Sequence, residues 1–137
     1  MALSSSTLTG HEVIDDEHLH IAGTVNNLAE AVAEERFEDC IALTGDFADR
    51  MLSHFDSEEG VLGELGYPDL EDHRDLHNGF KDRLDKFKDE ARAAPPNRQD
   101  WETFCKKLAA FFIDEAIGAD MDFKSFLIEM VTVQPAS

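Results

Sequence analysis

Residues 54–77 read HFDSEEGVLGELGYPDLEDHRDLH. Two four-residue steps, His54 to Glu58 and His73 to His77, flank Gly66-Tyr67-Pro68. Residues four apart on an α-helix lie about 40° apart around the axis and one turn along it. Each step therefore directs both side chains at a common locus. Glycine after a last turn and proline at an opening position mark the end of one helix and the start of the next. The segment predicts two helices joined by a short turn, each offering two polar ligands to the interior.

Working outward, apolar residues recur at helical steps of three and four in four stretches. The first is Ile14, His18, Ile21, Val25, Leu28 and Val32. The second is Phe47, Met51, His54, Glu58, Leu62 and Leu65. The third is Leu70, His73, His77, Phe80, Leu84, Phe87 and Ala91; the fourth is Trp101, Phe104, Leu108, Phe111 and Glu115. Strand-like alternation is nearly absent. Asp15 or Asp16 is expected to cap the first helix, and Asn97, after Ala94-Pro95-Pro96, the fourth. A tight turn is placed at Glu35-Arg36-Phe37-Glu38 on periodicity alone. Gly118 is expected to break the fourth helix, and residues 121–131 to form a short closing helix. Short connections favour antiparallel neighbours, so the fold class is all-α, an up-down-up-down four-helix bundle. One domain is expected over 1–137, with an arm at 1–10, a bundle core over about 14–120, and a short helix and tail at 121–137.

Composition narrows the function. Thirty acidic against 12 basic residues give a formal net charge of −18. Such a surface repels nucleic acid phosphates and anionic lipids. A salt-loving source is compatible with it on composition alone. The first residues lack a secretory signal and no apolar run is long enough for a membrane span, so a soluble cytoplasmic protein is expected. Two cysteines, Cys40 and Cys105, are too few for a disulfide framework and are expected as buried thiols.

What interrupts the stripes is the informative feature. His18, His54, Glu58, His73, His77 and Glu115 occupy positions that should face the core. An unpaired buried carboxylate costs several kcal/mol. One core histidine is usually a packing residue; six polar positions over four stripes point to metal ligation. Asp120, five residues past Glu115, returns to the same site if the helix breaks at Gly118. Imidazole and carboxylate together suit iron, and less distinctively manganese or zinc. His11 and His20 lie off the stripes and are kept out of the set. Other charged side chains are read as solvated faces.

The pattern resembles the bacterial hemerythrins. The matching pieces are Ile14-Asp15-Asp16-Glu17-His18, His54 with Glu58, the run from Gly66 to His73 with His77, and Ile117-Gly118-Ala119-Asp120. The resemblance implies two iron ions (Fe2+/Fe3+) with a bridging oxo or hydroxo group. Glu58 and Asp120 match the two bridging carboxylates. His73 and His77 match ligands of a coordinatively filled iron, and His18 and His54 those of an iron keeping a position for dioxygen. Ile14, Phe55, Phe111 and Ile117 are candidates for an apolar lining. The family's fifth histidine is replaced by Glu115, read as a substitute ligand; a tryptophan often found near the N-terminus is absent. The resemblance implies reversible dioxygen binding for storage, delivery or sensing, with peroxide and nitric oxide as further candidate ligands. The alternative is a di-iron peroxidase or oxidase, towards which the additional carboxylate leans.

Overall fold

A computed structural model of the chain describes Thr9, residues 11–114, Lys124 and Phe126. Four helices follow one another: α1 (Glu12–Ala33), α2 (Phe37–Glu64), α3 (Leu70–Arg92) and α4 (Arg98–Ile113). Side-chain pairings show that sequential helices run antiparallel. His18 of α1 meets His54 of α2; Glu58 of α2 meets His73 and His77 of α3. The Phe87 ring of α3 contacts Phe104 of α4, and Phe80, further back on α3, contacts Phe111, further on along α4. The bundle inferred from periodicity is therefore present. The short closing helix and the Gly118 break lie outside the described residues.

The apolar stripes form the interior. Ile21, Val25, Leu28, Met51, Phe47, Leu84, Trp101, Leu108 and Phe111 are all essentially inaccessible to water. They belong to one large cluster drawn from all four helices. A second, small cluster of Ile14, Leu62 and Tyr67 closes the opposite end, with Leu65, Leu70 and Phe126 packed against it. The buried histidines and Glu58 lie between the two. Cys40 and Cys105 are free and buried within the large cluster. Burial pushes both thiols above their ordinary pKa, leaving them protonated and poorly nucleophilic.

The turns show how little sequence signal a helix end needs. After α2, Tyr67 N–H bonds Leu62 C=O at 2.9 Å and Gly66 N–H bonds Gly63 C=O at 3.2 Å, with Gly66 at φ +72°. This is a Schellman motif, with the usual apolar contact between Leu62 and Tyr67. After α1 the same pair of bonds forms, Arg36 N–H to Ala31 C=O at 2.9 Å and Glu35 N–H to Val32 C=O at 3.1 Å. Here Glu35, not glycine, takes the left-handed conformation, at φ 57°. That explains why the turn carries no glycine or proline signature. A Cβ in this conformation costs about 1 kcal/mol, and a carboxylate at a helix C-terminus opposes the helix dipole. Glu35→Gly is expected to stabilise the fold by about 1 kcal/mol, or roughly 3 °C in thermal unfolding. A lower melting temperature would contradict this account of the turn.

One cap differs from expectation. Helix α1 starts at Glu12, with His11 preceding it, so neither Asp15 nor Asp16 is the cap. The first turn presents Glu12 and Val13 to water and buries Ile14, and the residue before it, His11, makes no side-chain cap. Asp15 instead accepts from Thr9 N–H and Thr9 Oγ1, both at 2.8 Å, tying Thr9 to the first turn of α1. Asn97 caps α4 as expected, its Oδ1 accepting Asp100 N–H at 2.9 Å.

Candidate metal centre

Helix α1 contributes His18, α2 contributes His54 and Glu58, and α3 contributes His73 and His77; all five are buried. They converge because each replaces an apolar residue on a core-facing stripe, and antiparallel packing brings those stripe positions to one level. The two oxygens of Glu58 divide the group. Oε1 receives His73 Nε2 in a short contact and His77 Nε2 at 3.0 Å. Oε2 lies 3.0 Å from His54 Nε2, and His54 Nε2 lies 3.0 Å from His18 Nε2. Two triads result, His18–His54–Glu58 and Glu58–His73–His77, each with its candidate ligand atoms within 4.8 Å of one another.

The donor set fits cations. Ligands about 2.1 Å from a common ion at right-angled positions stand about 3.0 Å apart, the spacing seen repeatedly here. Glu58 Oε2 is buried with no aligned hydrogen-bond donor among the described residues, although His54 Nε2 stands 3.0 Å from it. His54 meets a carboxylate at each ring nitrogen, Glu17 at Nδ1 and Glu58 at Nε2. A neutral imidazole has one N–H and cannot donate to both. A cation between His54, His18 and Glu58 reconciles the contacts.

Electrostatics agree. Burial alone would raise the Glu58 carboxyl pKa; His54, His73 and His77 outweigh it and hold the group well below the usual carboxylate range. Glu58 is thus an anion in the interior, ready to ligate.

Of the residues picked from sequence, His18, His54, Glu58, His73 and His77 come together. Glu115 and Asp120 lie outside the described residues, as does Ile117. His20 is exposed and His11 partly buried beside the start of α1; neither belongs to a triad. Phe55 stacks on His77, ring centroids 4.2 Å apart. Phe111 packs with Phe47, Phe80 and Phe87, and Ile14 lies in the small end cluster.

Three neighbours escaped the sequence reading. Phe112 sets its ring edge-on to His18 at 5.9 Å. Glu17 Oε1 lies 3.1 Å from His54 Nδ1, and Glu59 Oε2 lies 3.4 Å from His77 Nδ1. Both glutamates are mostly sheltered, at 25% and 17% side-chain exposure, which corrects their assignment to solvated faces. Burial alone would raise the Glu17 pKa; hydrogen bonds from His54 and Ser57 lower it instead. Each adjoins a stripe position in sequence, about 100° around the helix, so the signal was adjacency to a candidate ligand.

Fold and site together define a helical bundle enclosing a buried imidazole–carboxylate cation site. Residues 9–117 match the family described as the hemerythrin HHE cation binding domain, and the chain belongs to that family. Similar curated proteins are the bacteriohemerythrins of two strains of Pseudomonas aeruginosa, each 29% identical over 80 residues, 58% of this chain and 52% of theirs. That of Pseudomonas paraeruginosa gives the same figures, 29% over 80 residues, with 58% and 52% covered. The match thus spans about half the length of these relatives. No helix among the described residues is long and apolar enough to cross a membrane.

Proposed function

We propose that this chain holds two iron ions, one in each triad, and binds dioxygen at the iron facing His18 and His54. The carrying observation is the division of Glu58 between the triads, since one buried carboxylate addressing two imidazole sets is how a shared bridging ligand would be placed. Similarity to proteins named bacteriohemerythrin supports the choice of iron and dioxygen. Asp120 would supply the second shared carboxylate and Glu115 the ligand where the family places histidine. Iron would supply the electrons and the coordination position for oxygen. The protein's part is to hold Nε2 of four imidazoles inward and to exclude water with Phe55 and Phe112.

Anaerobic loading with ferrous iron, followed by admission of oxygen, tests the reading. A coloured adduct that disappears when oxygen is removed is expected. Direct passage to a stable ferric form with turnover of peroxide would contradict reversible binding and favour a peroxidase.

Glu115 adds a further expectation. A carboxylate in place of neutral imidazole adds negative charge beside the metals and favours ferric over ferrous iron. Glu115→His is expected to raise the reduction potential and slow autoxidation. An unchanged potential in redox titration would contradict the role given to Glu115.

A further inference from the structure

We propose that Glu17 is a positioning residue for the cation site: by accepting the Nδ1–H of His54 it commits His54 Nε2 to face the metal. The inference rests on the metal reading above and concerns one half of the site.

His54 is completely buried, so its ring finds hydrogen-bond partners only in the protein. Nδ1 faces Glu17 Oε1 at 3.1 Å, whereas Nε2 faces His18 Nε2 and Glu58 Oε2, each at 3.0 Å. An ionised carboxylate can only accept, and both Glu17 and Glu58 face the ring; with a cation engaging Glu58 and the Nε2 side, the ring hydrogen belongs on Nδ1, where Glu17 accepts it. The Nε2 lone pair then points towards His18 and Glu58, where a cation would sit. The other tautomer would aim a hydrogen at that position and set a lone pair against Glu17.

Two adjacent residues of α1 address the two nitrogens of one ring on α2: His18 meets Nε2 and Glu17 meets Nδ1. Partners of this kind orient metal-binding imidazoles and raise their basicity, and losing one typically costs 10–100-fold in affinity. Glu59 is less committed to His77, because it stands 3.4 Å from both His77 Nδ1 and Arg74 Nε.

Cobalt(II) titrations against a competing chelator test this in the wild-type chain, Glu17→Ala, Glu17→Gln and Asp16→Ala. Asp16 is an exposed neighbour whose loss removes the same charge. Wild type and Asp16→Ala are expected to bind two ions with equal affinity. Glu17→Ala should weaken one of the two by about 10–100-fold and leave the other in place. Glu17→Gln, which keeps an acceptor, should lose less. In the zinc-loaded proteins, nitrogen-15 NMR should show a protected His54 Nδ1–H that is lost in Glu17→Ala. Circular dichroism of the metal-free variants checks that each remains helical. Equal affinities in wild type and Glu17→Ala, or a Glu17→Ala loss matched by Asp16→Ala, would overturn the positioning role while the metal reading stands. A wild-type chain that binds no cobalt would overturn both.

Discussion

Glu58→Ala is expected to abolish the paired metal site, leaving neither ion bound at micromolar concentrations. Most ligand substitutions would weaken one half, but Glu58 is common to both triads. On the proposed two-ion reading its removal would take a charged ligand from each ion at once, and roughly a hundredfold or greater loss is expected for both, since even outer partners are worth 10–100-fold. His73→Ala and His54→Ala should each weaken chiefly one half. The bundle should survive Glu58→Ala, because the large apolar cluster of Trp101, Phe47, Phe111 and Leu108 does not depend on it. Metal content by elemental analysis, read beside the helical circular dichroism signal, checks this. Retention of two ions in Glu58→Ala would exclude Glu58 as the shared ligand.

The second large effect is on stability. Metal-free, the interior holds four buried imidazoles around an ionised carboxylate, and a buried charge is costly without a compensating cation. An ion at a thousandfold excess over its dissociation constant adds about 4 kcal/mol to the folded state. Two ions would add about 8 kcal/mol, corresponding to roughly 20–30 °C for a domain of this size. Calorimetry of chelator-stripped and reloaded protein reads the difference directly. Acidification should erase it, since ligating imidazoles must be neutral and protons compete with the metal. Equal melting temperatures with and without metal would contradict the claim that cations neutralise this interior. The surface ion pairs, such as Arg36–Asp39 and Arg50–Asp46, are about half exposed and contribute little beside it.

Much of this was legible in the sequence, and for identifiable reasons. A buried stripe with a helical period records which residues lack water, and His18, His54, Glu58, His73 and His77 are buried where their stripes place them. Gly66 and Asn97 declared their turns because positive φ and side-chain capping each favour one or two residue types. The start of α1 was misplaced because Asp15 and Asp16 are favoured capping types, whereas the residue that precedes the helix, His11, makes no side-chain cap. The positive φ of Glu35 was equally silent: the turn tolerates a residue that propensity disfavours. Glu17 and Glu59 were hidden for a different reason. Their roles come from packing between helices, and a glutamate beside a stripe looks the same whether it faces water or an imidazole nitrogen.

Anomalous X-ray diffraction at the iron edge, from crystals of the iron-loaded chain, tests the central claim most directly. Two peaks are expected, one beside His18, His54 and Glu58 Oε2, the other beside His73, His77 and Glu58 Oε1. Iron found only at surface carboxylates, with the five buried side chains left to one another, would contradict it.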